Sequence, residues 1–260
     1  MTPEQQQAAC EFLYQHWLHG ARLDTLPPEF LPPDRAEAYR VQACIEAHSR
    51  QPLYGWKIAA TSIAGQRHIG VGGPLAGRLL AERVIEDGGV CPLGNNLMKV
   101  AEMEFAFRMG GDLPPRGAPT SQDEVMAAVA SLHPAIEIPD SRFENFERVG
   151  LASLIADNAC AHRFVLGPAA RDWRGLDLAA HKVQGLRNGA VAEEGEGRNV
   201  LGDPRIALTW LANELSRHGM TLKAGQVVTT GTCVKPVPIA AGERVEGDFG
   251  ALGRVAVRIA

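Results

Sequence analysis

The stretch Val100-Ala101-Glu102-Met103-Glu104-Phe105-Ala106-Phe107 constrains the fold more than any other, because it alternates with period two. In an extended strand successive side chains face opposite ways, so Ala101, Met103, Phe105 and Phe107 form one apolar row. Glu102 and Glu104 share the other face with Val100 and Ala106. Two carboxylates side by side on one strand repel each other unless protons or a cation neutralise them. Further along, Ala135-Ile136-Glu137-Ile138 sets a third carboxylate between apolar neighbours, where a lone charge is costly. An E-x-E on the solvent face of an antiparallel strand is ordinary. Three carboxylates with no clustered His or Cys instead describe a site for a hard divalent cation, Mg2+ or Mn2+.

The chain has 260 residues, enough to bury a full core in one domain of ordinary size with room for a small N-terminal subdomain. Its net charge of −4 carries no basic excess, which argues against nucleic acid and anionic membrane as partners. An anionic substrate would need a local cation, and a bound divalent metal would supply one. The five cysteines, Cys10, Cys44, Cys91, Cys160 and Cys233, are scattered and never in C-x-x-C spacing. That pattern fits small buried hydrophobes in a reducing compartment rather than a disulfide framework or a structural zinc site. The N-terminus has no basic start or apolar core of a signal peptide, and no run is long enough to span a bilayer. The expectation is a soluble, cytoplasmic protein.

The first fifty residues read as two helices. Thr2 with Gln5 makes a capping box with Pro3 at the first position, and Asp34 with Glu37 opens the second helix after a proline-rich break. Residues 51–260 change character. Trp56 to Thr61 reads as a strand and Gly70 to Pro74 as a loop. Ser121 with Glu124 caps a helix lined by Val125, Val129 and Leu132. Gly150 to Gly167 reads as mixed strand and turn around Asp157-Asn158, and Gly195-Glu196-Gly197 as a loop tip. Asp203 and Pro204 open a helix closed by Gly219. Arg244 to Phe249 and Arg254 to Ile259 read as a terminal hairpin. Helices at the start, then strands through the middle and end, predict an α+β fold.

There is no P-loop, no dinucleotide fingerprint, no G-x-S-x-G elbow and no H-E-x-x-H. The eight histidines sit apart. Lys57 shares its strand face with Ala59 and Thr61 and runs into Thr61-Ser62 and a glycine loop. A lone lysine on such a strand is usually a snorkelling surface residue, although the Thr61-Ser62 and glycine loop that follow are what a substrate-facing strand end would carry. Asp157 and Asn158 read equally as holders of an active-site loop or as a turn cap. Asp140 and Arg142 are expected to pair with each other.

Several of these segments occur together in order: Gly55-Trp56-Lys57-Ile58-Ala59-Ala60-Thr61-Ser62, Ala101-Glu102-Met103-Glu104-Phe105-Ala106-Phe107, Ala135 to Arg142, Ala156-Asp157-Asn158-Ala159-Cys160, Gly231 to Pro238, and Phe249 to Val257. Over nearly its whole length the chain resembles the 2-keto-4-pentenoate hydratase and 4-oxalocrotonate decarboxylase family of the fumarylacetoacetase-like superfamily. The resemblance implies a mixed β-roll core with N-terminal and peripheral helices, divided into a helical subdomain at 1–50 and a catalytic domain at 51–260. It implies that Glu102, Glu104 and Glu137 hold Mg2+ or Mn2+ and that Lys57 meets the substrate. Thr61, Asn158 and Thr232 are the further candidate substrate contacts. It also implies a small 2-oxo acid or dienol substrate from aromatic meta-cleavage, a homo-oligomer, and a complex with a paired pathway enzyme.

One departure separates the family's activities. Hydratases carry an acidic residue in a Pro-Asp-x-Gly context, and the matching run here is Pro74-Leu75-Ala76-Gly77. Its absence weakens hydration and favours a decarboxylase, as does Phe143-Glu144-Asn145-Phe146. Lys235-Pro236-Val237-Pro238, and the lack of a proline-flanked version of the E-x-E strand, favour a hydratase. The expected activity is therefore hydration of a 2-hydroxypenta-2,4-dienoate, with decarboxylation of a 4-oxalocrotonate as the alternative. A non-catalytic scaffold is disfavoured, because it has no reason to keep three carboxylates together at an electrostatic cost.

Overall fold

The computed structural model describes residues 1–260. Two N-terminal helices come first, α1 (Pro3–His19) and α2 (Arg35–Ala43). Both halves of the Thr2–Gln5 capping box form, and the Asp34 side chain accepts from Glu37 N to cap α2. Their apolar faces share a small core with Leu80, Phe143 and Ala156 of the main body.

The body then runs β1 (Gly55–Ala59), α3 (Ile63–His68), β2 (Leu75–Leu79), β3 (Val84–Glu86), β4 (Val90–Cys91), β5 (Val100–Met109), α4 (Gln122–Ala127), β6 (Val129–Ile138), α5 (Gly150–Ala156) and β7 (Arg163–Leu166). It finishes with β8 (Lys182–Arg187), β9 (Ala190–Glu196), α6 (Pro204–Arg217), β10 (Val227–Thr232), β11 (Val237–Pro238), β12 (Arg244–Asp248) and β13 (Arg254–Ile259). One mixed sheet has the order β2-β1-β10-β5-β6-β7-β3, with β11 also paired to β5. The second has the order β4-β13-β12-β8-β9. The fold is α+β, with β5 at the middle of the larger sheet. Ala101, Met103, Phe105 and Phe107 are fully buried beneath the second sheet, where Phe105 meets Phe249 edge-on at 5.3 Å. No helix is long and apolar enough to cross a membrane.

Four local expectations are corrected. The helix capped by Ser121 ends at Ala127, so Val129 and Leu132 belong to β6. Pairing of β6 with β5 outweighs the helical spacing of those apolar residues. The run from Gly150 starts as a helix, α5. Gly195 and Glu196 end β9 rather than tipping a loop. A Cβ on Gly195 would lie 2.0 Å from the Cys233 carbonyl oxygen, so glycine there serves close packing. Asp140 and Arg142 do not pair with each other: Asp140 takes Arg22 at 3.0 Å, and Arg142 takes Asp157.

Candidate active site

Antiparallel register brings the three carboxylates together. Glu102 on β5 lies directly opposite Glu137 on β6, with Glu104 opposite Ala135 on the same face. Their carboxylate oxygens lie within 4.8 Å of one another. Glu104 and Glu137 are fully buried, and Glu102 is half-buried at a cavity wall. β1 adds Lys57, which is 3% exposed rather than snorkelling to solvent. Its Nζ stands 3.2 Å from Glu137 Oε2 and donates to the Ala159 carbonyl at 3.1 Å.

Strand β10 lies between β1 and β5 and supplies two donors. Thr229 Oγ1 and Gly231 N, the latter at 2.7 Å, both donate to Glu104 Oε2. Gly231 has φ 99°, and a Cβ there would lie 2.0 Å from Thr61 Oγ1, so only glycine permits this approach. Burial pushes Glu102 up to about 7; Lys57 opposes this rise and Glu137 adds to it. Burial, then Glu137 and Glu102, drive Glu104 well above the usual carboxylate range. Burial also raises Glu137, against the pull of Lys57. Burial by itself would lower Lys57, but the three carboxylates outweigh it and hold the ammonium charged.

The donor set fits a hard divalent cation. Glu104 Oε1 and both oxygens of Glu137 are buried without a hydrogen-bond donor; Lys57 attracts Glu137 as a charge, outside the alignment of a hydrogen bond. Buried carboxylate oxygens left this way are costly, and a small cation with oxygen preference removes that cost. Glu102, Glu104 and Glu137 are the residues that would hold it.

Lys57 and Glu102 open onto a cavity of about 770 Å³. Its wall is largely apolar, including Ile69, Met98, Phe146 and Val234. Leu75 lines it too, so the position where an acid was looked for does face the cavity. Thr61 and Thr232 both line this space, although Thr232 Oγ1 donates to the Val234 carbonyl. Asn158 is corrected: its side chain is bound to the main chain of Arg78, as donor to the carbonyl at 2.9 Å and acceptor from the N–H at 2.6 Å. Sequence reasoning missed Thr229 and the Ala159 carbonyl. The first had a signal in the Thr229-Thr230-Gly231-Thr232 strand end; the second had none.

The fold and this carboxylate–lysine site define a class. The profile of the Fumarylacetoacetate (FAA) hydrolase C-terminal family matches residues 84–260, and the chain belongs to that family, in its 2-keto-4-pentenoate hydratase and 4-oxalocrotonate decarboxylase branch. It is 34% identical to 2-keto-4-pentenoate hydratase 2 of Dechloromonas aromatica over 100% of this chain and 98% of that one. It is 33% identical to 2-keto-4-pentenoate hydratase of Paraburkholderia xenovorans over 98% and 95% of the two chains. The 4-oxalocrotonate decarboxylase of Pseudomonas putida G7, solved with magnesium and adipate, superposes with a TM-score of 0.90 at 30% identity, covering 100% of this chain and 99% of that one.

Proposed function

We propose that this protein is a divalent-metal-dependent hydratase that converts 2-hydroxypenta-2,4-dienoate-type substrates to 4-hydroxy-2-oxo acids in aromatic meta-cleavage catabolism. The observation that carries the reading is the convergence of three carboxylates, two of them with buried oxygens that lack a donor, and one charged lysine beside a cavity whose wall is largely apolar. The hydratase names of full-length relatives support it. Mg2+ or Mn2+ held by Glu102, Glu104 and Glu137 would supply a Lewis acid for the 2-oxo acid head of the substrate.

The chain's own residues then have distinct tasks. The Lys57 ammonium has three donors, of which Ala159 takes one and Glu137 faces another. At least one is left for a substrate carboxylate, which lets Lys57 anchor the substrate. Thr61 adds a hydroxyl at the cavity wall, and Thr232 a second whose proton is already engaged. Ile69, Met98 and Phe146 give the cavity an apolar wall suited to the hydrocarbon end of a small dienoate. Five free thiols support a reducing, cytoplasmic setting. A homo-oligomer, able to associate with a paired pathway enzyme, completes the proposal.

Leu75 favours the decarboxylase reading, since this cavity-facing residue cannot activate water. The deciding experiment follows 2-hydroxypenta-2,4-dienoate and 4-oxalocrotonate by NMR, with Mg2+ and with chelator. We expect Mg2+-dependent formation of the 4-hydroxy-2-oxo acid. Loss of CO2 from 4-oxalocrotonate without any hydration would replace the hydratase by the decarboxylase.

A further inference from the structure

Three consecutive residues beside the site, Asn158, Ala159 and Cys160, have φ of 56°, 50° and 61°. A side chain in this left-handed region brings Cβ too close to the backbone carbonyl oxygen, and only Asn among the three tolerates it well. Most other positive-φ positions in the chain are glycine. The turn is also buried, so solvent offers no compensation. Strain of this kind persists only where the surroundings over-determine it, and it gathers where geometry serves function.

The surroundings here hold both ends of the turn. At its entry, Asp157 accepts from Ser141 Oγ at 2.8 Å, from Arg142 N at 3.0 Å and from the Arg142 guanidinium, which also donates to the Asp157 carbonyl. At its exit, the Cys160 carbonyl accepts from Asp140 N at 2.9 Å. Between them Asn158 grips the Arg78 main chain on β2 through both ends of its amide. Gly77, which pairs with Lys57 across β1 and β2, makes the space: a Cβ there would lie 2.3 Å from the Asn158 carbonyl oxygen. What the turn delivers is the Ala159 carbonyl, aimed at Lys57 Nζ.

We propose that the left-handed turn at Asn158-Ala159-Cys160 is the device that positions Lys57, and that Asn158 is its positioning residue. A lysine side chain facing three carboxylates has a simple alternative, which is to fold fully onto them as an ion pair. An uncharged acceptor on the other side holds Nζ at a fixed point without neutralising it, so one donor stays directed at the cavity. A lysine side chain has many rotamers to lose, which makes such a restraint necessary. The inference rests on the proposed role of Lys57 toward a 2-oxo acid.

A double-mutant cycle on the full chain tests it. Asn158→Gly removes both grips on Arg78 while still permitting the left-handed backbone, and Lys57→Met removes the ammonium. The first readout is the calorimetric affinity of 2-oxopentanoate in Mg2+. The second is kcat with 2-hydroxypenta-2,4-dienoate. Asn158→Gly should weaken analogue binding and lower kcat by about tenfold each, the scale of a lost charge-assisted hydrogen bond. Its Mg2+ affinity should stay within about threefold. In the Lys57→Met background the same substitution should change analogue binding by less than about twofold. Asn158→Asp, which can keep the bond from Arg78 N, should recover part of the loss and serves in place of Asn158→Gly if that variant fails to fold. Equal losses in both backgrounds, or no loss in either, would overturn the turn's role. A wild-type protein that binds the analogue with the expected coupling, but turns over no dienoate, removes the hydratase and keeps the turn. Failure of the wild type to bind the analogue removes both.

Discussion

Two sets of buried charges flank the turn at 158–160, and they are finished differently. On one side Asp157, fully inside the protein, receives bonds from Ser141 and from the backbone and guanidinium of Arg142, with one charge of each sign. On the other side one ammonium faces three carboxylates, and three of their oxygens lack any donor. Both sets pay desolvation, yet only the first recovers it within the chain. The satisfied pair is the kind of charge a fold keeps for structure. An under-neutralised set at a cavity wall is the kind kept for a ligand, because the missing partner is what binds. Between these two charge sets, the difference lies in the completeness of hydrogen bonding around the carboxylates.

Cutting the satisfied side should produce the largest effect. Arg142→Met leaves Asp157 as a buried carboxylate with its main ion partner gone, and should cost about 3–5 kcal/mol in urea unfolding followed by circular dichroism. A loss under about 1 kcal/mol would show that the two sides are not different in kind. On the site side, the missing partner should act in the opposite direction. Mg2+ at a hundred times its Kd should add about 2.7 kcal/mol to the wild type, read as a rise in Tm over chelator. Glu104→Gln should abolish most of that rise while itself raising Tm in chelator, since it removes one of the mutually repelling carboxylates. A Glu104→Gln variant that keeps the Mg2+ response would break the assignment of the carboxylates.

The two sides also differ in how far the sequence discloses them. Glu102 and Glu104 follow from period two, and Glu137 from a charge set among apolar neighbours. That the register would place Glu102 opposite Glu137 needed the pairing of β5 with β6, which no local pattern specifies. The satisfied side was misread: Asp140 and Arg142 are close in sequence but point to different partners, Arg22 and Asp157. A turn around Asp157-Asn158 was legible, but its left-handed backbone was not, because glycine, the usual mark of positive φ, is absent from Asn158-Ala159-Cys160. The end of α4 was missed for a related reason. The capping box at Ser121 fixes where a helix starts, whereas Val129 and Leu132 satisfy helical spacing and, three residues apart, fit strand alternation only across the register shift between Arg108 and Met109. Caps and alternation are local properties; registers, strained turns and distant ion partners are not.

The smallest effect separates the two sides by sign. His162 lies among cations, with Arg163, Arg142, Arg83 and Arg22 around it, and its Nδ1 is buried without a partner. Burial first, and then those four guanidinium groups, lower its pKa from 6.5 to about 2. Between these two values the unfolded chain binds one proton that the folded chain refuses. Stability contributed by this residue therefore falls as pH drops below 6.5, by about 1.4 kcal/mol per pH unit. The site carboxylates carry the opposite sign, since their raised pKa values favour the folded state as pH falls. A comparison of wild type with His162→Gln isolates the imidazole from them. The difference in urea-unfolding free energy should widen in favour of the variant between pH 6.5 and 5.5. If the two curves run parallel across that interval, the imidazole takes up a proton in the folded state, and the cationic surroundings do not exclude it.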